Sequence, residues 1–234
     1  MDVFNAYKKK MVACVALLLS LVSTASFAGG VGLGATRVVY PADSKQVSLS
    51  VSNTDKNNVY LLQSWIDTAE GGVTQDFMVT PPLFVIKQAT ESAPAENTLR
   101  LVYAGPPLAQ DRETLFWVNV KAIPSTKRDA DDGQSKLRLA VVSRIKLFYR
   151  PKELANGLQD SASKVEVKRV GNTLAINNPT PYFISLIKVS VGEHVLDNTM
   201  VAPYGQGKVR VPENAKGELH YSFINDYGAL IKLK

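Results

Sequence analysis

Short segments with the alternating pattern of β-strands recur along this chain and restrict its fold more than any other feature. They are rich in Val, Ile, Leu, Thr and aromatic residues, and clusters of Asn, Asp, Gly and Pro separate them. Residues 46–51 show the pattern clearly, because Val47, Leu49 and Val51 share one face of a strand and polar residues occupy the other. No long segment has the period of an α-helix. The sequence therefore predicts an all-β protein.

The length of the chain and the spacing of its strands indicate two β-sandwich domains. A chain of 234 residues suits two domains of about 100 residues, each large enough to bury its own core. Seven strand-like segments up to Tyr149 predict the first sandwich, and further segments between Val165 and Leu233 predict the second. The polar stretch 152–164 separates them. We expect domains of residues 29–151 and 152–234, joined by a short linker.

The first 28 residues have the pattern of a secretory signal peptide. Residues 8–10 are lysines, and the apolar run 11–22 that follows them is too short to cross a bilayer comfortably. Ser26 and Ala28 supply the small residues that signal peptidase requires, so we predict cleavage after Ala28. An uncleaved membrane anchor is the alternative, and the lack of a second apolar segment disfavours it.

The charge and the cysteine content of the chain disfavour nucleic-acid binding and a lipoprotein anchor. The formal net charge is +6, but no stretch groups Lys and Arg into a dense basic surface, so nucleic-acid binding is disfavoured. The only cysteine is Cys14, and the apolar run continues after it, which disfavours a lipoprotein anchor. The mature chain would have no disulfide, so packing alone must stabilise both cores in an oxidising compartment.

The side chains needed for catalysis or metal binding are scarce. The chain has only two histidines, His194 and His220, and both lie in strand-like segments without a nucleophile motif. The acidic group at 129–132 is typical of a solvated loop, and the glycines at 29–34 open no helix that could bind phosphate. We therefore predict no enzymatic activity, no metal, no cofactor and no small-molecule substrate.

The strand-like segment 137–149 is long for a single strand. Leu137, Leu139 and Val141 share one face by the period of two residues, and strict alternation places Lys146 on the opposite face. If the early part of this strand lies at a sheet edge, its backbone could pair with a strand from another chain. The alternative is that the three apolar residues face the core of their own domain.

Residues 108–124, LAQDRETLFWVNVKAIP, resemble the signature of the periplasmic pilus chaperones, the PapD-like family. Further blocks are similar to the family in the same order: 34–41 GATRVVYP, 80–84 TPPLF, 143–151 SRIKLFYRP, 178–182 NPTPY and 224–229 INDYGA. The resemblance covers essentially the whole mature chain. Within the family, the chain looks most like the short-loop chaperones of type 1 pili, and the absence of cysteines from the mature chain agrees.

The resemblance implies two immunoglobulin-like domains in an L-shaped (boomerang) arrangement and a function without catalysis. Such a chaperone would act in the periplasm, bind, fold and cap pilus subunits (pilins and adhesin), and deliver them to an outer-membrane usher. Each subunit lacks the final strand of its own sandwich, and a strand donated by the chaperone completes it. Leu137, Leu139 and Val141 match the alternating residues of that donor strand.

Two further groups of residues match functional positions of the family. Arg37 and Lys146 match the cleft pair that anchors the C-terminal carboxylate of the subunit, where charge-assisted hydrogen bonds would hold it. Glu113, Arg150 and Asp226 match a structural network of ions between the domains, which fixes the angle between them.

Two other functions remain alternatives. A pilus subunit or adhesin is also an exported β-sandwich, but such subunits typically carry a cysteine pair and an incomplete single domain. A polysaccharide-processing enzyme on a β-scaffold would need a pair of carboxylates in a recognisable setting, which the sequence does not offer.

Overall fold

The computed structural model describes residues 29–125 and 139–234, and in that part of the chain nearly every regular element is a β-strand. The first nine strands form one unit. They are β1 (Val31–Leu33), β2 (Arg37–Pro41), β3 (Val47–Asn53), β4 (Tyr60–Thr68), β5 (Phe77–Thr80), β6 (Leu83–Ile86), β7 (Ala95–Tyr103), β8 (Thr114–Pro124) and β9 (Val141–Arg150).

These nine strands build two sheets that face each other. One sheet has the order β1-β3-β7-β5 and the other has the order β2-β9-β8-β4-β6. Every pair is antiparallel except β2 with β9, which is parallel. The alternating apolar side chains of both sheets meet in one core, which includes Leu49, Val51, Leu62, Ile66, Leu99, Leu101, Val118, Val120 and Leu147. Burial of each such side chain stabilises the fold by about 1.5–3 kcal/mol.

The remaining strands form a second unit with its own core. They are β10 (Glu166–Val170), β11 (Thr173–Asn177), β12 (Ile184–Val191), β13 (His194–Val195), β14 (Thr199–Val201), β15 (Gln206–Arg210), β16 (Leu219–Ile224) and β17 (Leu230–Lys232). One sheet has the order β10-β11-β15, and the other has the order β13-β12-β16-β17, with β14 also paired to β12. Leu174, Ile176, Ile184, Leu186 and Phe223 lie at the centre of this core.

A short segment of helix connects the two units. A 3-10 turn at Lys152–Leu154 precedes the one short helix of the described ranges, α1 (Leu158–Ala162). Leu158 and Ala162 are buried on one side of this helix and pack into the second core. The polar stretch 152–164 is therefore more than a linker, because part of it contributes to the second core. No helix within residues 29–125 or 139–234 is long and apolar enough to cross a membrane.

The architecture is that of two immunoglobulin-like β-sandwiches, as the sequence predicts. The prediction of seven strands in the first sandwich is wrong, since β1 and β5 add two short strands of three and four residues. Segments this short contain too few alternating residues to show a period. The L-shaped arrangement of the domains stays a prediction.

Two strand boundaries also differ from the prediction. The sequence predicts one strand over Val195 to Val201, but this segment forms the end of β13 and all of β14, which pair with separate parts of β12. The long strand begins at Val141 and not at Leu137. Leu139 precedes β9, and Leu137 lies outside the described residues.

Candidate functional site

Strand β9 has one edge that is only partly paired. On one side, β8 pairs with it continuously from Val141 to Tyr149. On the other side, β2 pairs with it only from Lys146 to Arg150. Within the described part of the chain, residues 141–145 therefore have no strand on that side, and their backbone groups can pair with a strand from another molecule. We call residues 141–145 the free edge.

The apolar residues at the start of the free edge do not belong to the core of their own domain, whereas Ile145 at its end packs against that core. Leu147 and Tyr149, farther along the strand, are buried in that core. Val141, which shares their face of β9, is 64% exposed, and Leu139 just before the strand is 68% exposed. The apolar face of the strand thus continues beyond its own core, where nothing in the described ranges covers it.

Arg37 and Lys146 lie together where the free edge ends. Arg37 is the first residue of β2, and it pairs directly with Lys146 in the parallel ladder between β2 and β9. The Arg37 Nη1 atom donates to the carbonyl oxygen of Ile224 at 3.1 Å, and the Lys146 Nζ atom donates to Ser185 Oγ at 3.0 Å. Both acceptors belong to the second domain, so the pair lies where the two domains are in contact.

The two cations have little compensation from nearby anions. In residues 29–125 and 139–234, neither makes an ion pair within 4.0 Å, and the buried Nε atom of Arg37 has no hydrogen-bond partner. Burial lowers the pKa of Arg37, an effect that the charges of Asp226 and Glu113 oppose. Burial also lowers the pKa of Lys146, and the charge of Arg37 lowers it further. An anion bound between the two side chains would offset the cost of burying their charges and the repulsion between them.

Lys146 lies on the face of β9 opposite to Val141, as strict alternation predicts. The register with β8 is unbroken over the strand, so no bulge brings the two faces together. A strand added at the free edge would meet the apolar face along its length and the cations at its end.

Glu113, Arg150 and Asp226 form a network of ions between the domains. The Arg150 Nε atom donates to Glu113 Oε1 at 2.7 Å, and its Nη1 and Nη2 atoms donate to the two carboxylate oxygens of Asp226 at 2.7 Å each. Glu113 Oε2 accepts the backbone N–H of Phe183 at 2.8 Å. Burial raises the pKa of Glu113, whereas the charge of Arg150 and the N–H of Phe183 oppose that rise. The network joins β9 and the residue before β8 to the second domain.

Sequence reasoning missed several polar residues near the free edge. Ser185, which holds Lys146, is one of them. Another is Asp67, which lies near Arg144 on the outer face of the same sheet. No motif distinguishes such residues, because their proximity depends on the pairing of separate strands. In the described ranges, no group of three or more His, Cys, Asp or Glu side chains could hold a metal ion. The acidic group at 129–132 lies outside those ranges.

Two sandwiches, with a partly unpaired strand edge that ends at the buried Arg37 and the half-buried Lys146, define a class of two-domain β-proteins with an edge open to another strand. The pili and flagellar-assembly chaperone model, PapD N-terminal domain, matches residues 30–155. The pili assembly chaperone PapD model, C-terminal domain, matches residues 160–234. The chain belongs to the PapD family of pilus assembly chaperones. That family consists of chaperones and not of enzymes, which removes the alternative of a polysaccharide-processing enzyme, and the match to both domains removes that of a pilus subunit.

Individual relatives agree with the family assignment. The chaperone protein FimC of Escherichia coli K12 is 43% identical over 221 residues, which are 94% of this chain and 89% of FimC. The chaperone protein FocC of Escherichia coli is 46% identical over 203 residues, 86% of this chain and 87% of FocC.

Solved structures of chaperones share the fold. The crystal structure of the periplasmic chaperone SfaE matches with a TM-score of 0.71 and 45% identity, over 87% of this chain and 98% of SfaE. The structure of the Salmonella enterica SafA pilin in complex with the SafB chaperone matches with a TM-score of 0.76 and 32% identity. The match covers 88% of this chain and 95% of the matched chain.

Proposed function

We propose that this chain is a periplasmic chaperone that binds, folds and caps pilus subunits by donating strand β9, and that it delivers them to an outer-membrane usher. The observation that carries the proposal is the free edge of β9, which ends at the buried Arg37 and the half-buried Lys146. The complex of SafB with the SafA pilin is a precedent in a relative.

The direction of β2 supports a specific orientation of the bound strand. Because β2 runs parallel to β9 and begins level with Lys146, a strand that fills the free edge in the same direction would end directly before Arg37. Its C-terminal carboxylate would then reach the unpartnered Nε atom of Arg37 and the Nζ atom of Lys146. The anchor would thus set the register of the whole strand.

The apolar face would supply affinity along the strand. Leu137, Leu139 and Val141 would enter the open groove of the subunit, while the backbone of β9 pairs with its last strand. Leu139 and Val141 are largely exposed without a partner, and burial of each would contribute about 1.5–3 kcal/mol before the entropy of association is deducted. Backbone hydrogen bonds tolerate many sequences, so one chaperone could serve several subunits.

The other predicted features complete the proposal. Residues 1–28 would direct export as a cleaved signal peptide, and residues 29–151 and 152–234 would form the two domains of the mature protein. The contact of Arg150 with Glu113 and Asp226 would hold the domains at a fixed angle. The cleft would then keep its shape when no subunit is bound.

Co-expression tests this proposal directly. The mature chain would be produced in a periplasm together with the subunits of a type 1-like pilus, and soluble one-to-one complexes would be purified. We expect a complex with the unchanged chain and its loss with Arg37→Ala or Lys146→Ala. Lys45→Ala changes an exposed lysine of the same domain and should have no effect. Equal recovery with all three variants would refute the carboxylate anchor, and no complex with a wide panel of subunits would refute the function.

A further inference from the structure

The outer face of the sheet β10-β11-β15 in the second domain carries its long side chains on the two outer strands. Because directly paired residues point to the same face, the two ladders align Lys168, Ala175 and Lys208 in one row. Leu174 and Val209, which alternate with these rows, are buried in the core. We call two adjacent outward rows the basic face, and its residues are Lys168, Ala175, Lys208, Val170, Thr173 and Arg210.

Positive charge prevails on the basic face. Lys208 and Arg210 are exposed, and in residues 29–125 and 139–234 neither makes an ion pair within 4.0 Å. Glu166 is the only acidic residue of these three strands, and its Oε2 atom lies 2.7 Å from the Nζ atom of Lys168. Two uncompensated cations therefore lie about 7 Å apart along β15, and a partly compensated one lies about 10 Å away across β11.

The basic face points away from the first domain. The other sheet of the second domain contacts the first domain, since Ser185 Oγ accepts a hydrogen bond from Lys146. Ser185 lies between the buried Ile184 and Leu186 of β12, so its side chain leaves the core on the outer side of that sheet. The basic face lies on the opposite side of the same core. A partner bound there would leave the free edge accessible.

The geometry of the basic face fits a broad anionic surface better than an acidic peptide. β11 is paired along both edges, so the middle of the face offers a peptide no free backbone groups. The small side chains of Thr173 and Ala175 also give a peptide little to pack against. Phospholipid headgroups move laterally and can gather at each cation wherever it lies. Val170, which is 66% exposed on this face, would contact the boundary between headgroups and acyl chains.

We propose that the basic face docks the protein reversibly on a lipid bilayer that contains anionic phospholipid. Each Lys or Arg close to such a surface strengthens binding about fivefold, and the attraction falls off within a Debye length of about 10 Å. Three cations give a weak attachment, which lets the protein leave the bilayer and return. The docking goes beyond the proposed function and needs no bound subunit.

Sedimentation with vesicles tests the proposal. Residues 29–234 would be mixed with vesicles of equal parts phosphatidylglycerol and phosphatidylcholine, at about 0.05 M and about 0.5 M salt. Vesicles of phosphatidylcholine alone serve as the uncharged control. We expect binding only to the anionic vesicles and only at low salt. No binding under these conditions, equal binding to phosphatidylcholine, or binding that high salt does not weaken would overturn the proposal.

Two pairs of substitutions locate the binding surface. Lys208→Gln with Arg210→Gln should lower the vesicle partition coefficient about 20-fold, because each cation contributes about fivefold. Lys45→Gln with Arg100→Gln removes the same charge from exposed positions of the first domain and should lower the coefficient less than about twofold. Equal losses with both pairs would show that net charge, and not the basic face, attracts the protein to the bilayer.

A labelled peptide of alternating Glu and Thr probes the other kind of partner. We expect no peptide binding that depends on Lys208 and Arg210, as measured by fluorescence anisotropy. Peptide binding that their double substitution abolishes, without vesicle binding by the unchanged protein, would assign the face to an acidic protein and refute docking on a bilayer. The same double variant should still give the one-to-one complex with a subunit, so a failure of docking is distinguishable from a failure of the proposed function.

Discussion

Replacement of Arg150 by Met should lower the free energy of unfolding by about 3–5 kcal/mol at neutral pH, because a buried carboxylate loses its counter-charge. Arg150 makes three hydrogen bonds of 2.7 Å to Glu113 and Asp226. The side chain of Asp226 is 28% exposed and can regain water, whereas that of Glu113 is 1% exposed and cannot. Most of the expected loss therefore comes from Glu113.

The loss should also depend on pH. Burial already raises the pKa of Glu113 above 4.5, and the variant lacks the charge of Arg150 that opposes this rise. The folded variant then holds a proton that the unfolded chain releases, so its stability falls as the pH increases above about 4.5. The difference from the unchanged protein should be smallest in acid and largest at neutral pH.

Urea denaturation at several pH values measures both effects. The two tryptophans, Trp65 and Trp117, report on the first domain, and far-UV circular dichroism reports on the whole chain. Adding Glu113→Gln to the Met variant should recover part of the stability, because no buried charge remains. Lys168→Met, which removes an exposed ion pair with Glu166, should change little. A loss below about 1 kcal/mol, as found for exposed ion pairs, or a loss independent of pH would refute this reasoning.

Two further predictions concern the binding of subunits. Burial and the charge of Arg37 lower the pKa of Lys146 from 10.5. Lys146 should therefore lose its proton at a lower pH than an ordinary lysine, and subunit binding should weaken at that pH. Lys146→Arg should bind without this dependence, and identical pH profiles for the two proteins would contradict the assignment. Val141→Glu should weaken binding at least tenfold in a pull-down titration, since it places a charge in an apolar groove. Val170→Glu changes an equally exposed residue of the second domain and serves as its control. Normal binding by Val141→Glu would exclude this residue from the donor strand.

The strands of both sandwiches were predictable wherever several alternating residues follow one another. Leu49 and Val51 share one face of β3, and both are buried, because successive side chains of a strand must point to opposite sides. Shorter elements escaped prediction for the converse reason. β1 has three residues and α1 has five, too few to show a period above the background of the sequence.

The residues of the candidate site were predictable only by resemblance to a family. Composition gives no reason to connect Arg37 with Lys146, and both have the character of surface charges. In the structure they are neighbours because β2 joins the sheet beside β9 in parallel, at a register that pairs these two residues. Ser185 and Asp67 belong to no motif, and only the fold brings them beside Lys146 and Arg144.

The sequence by itself thus determined the class of fold, the absence of cysteine from the predicted mature chain and the alternation along β9. These properties can be read from the composition and from residues that are close in sequence, because the backbone of a strand alternates its side chains between two faces. The free edge and the cationic pair at its end were decided by tertiary structure. Each depends on which strand lies beside another and at what register, and that choice follows from the packing of two entire cores.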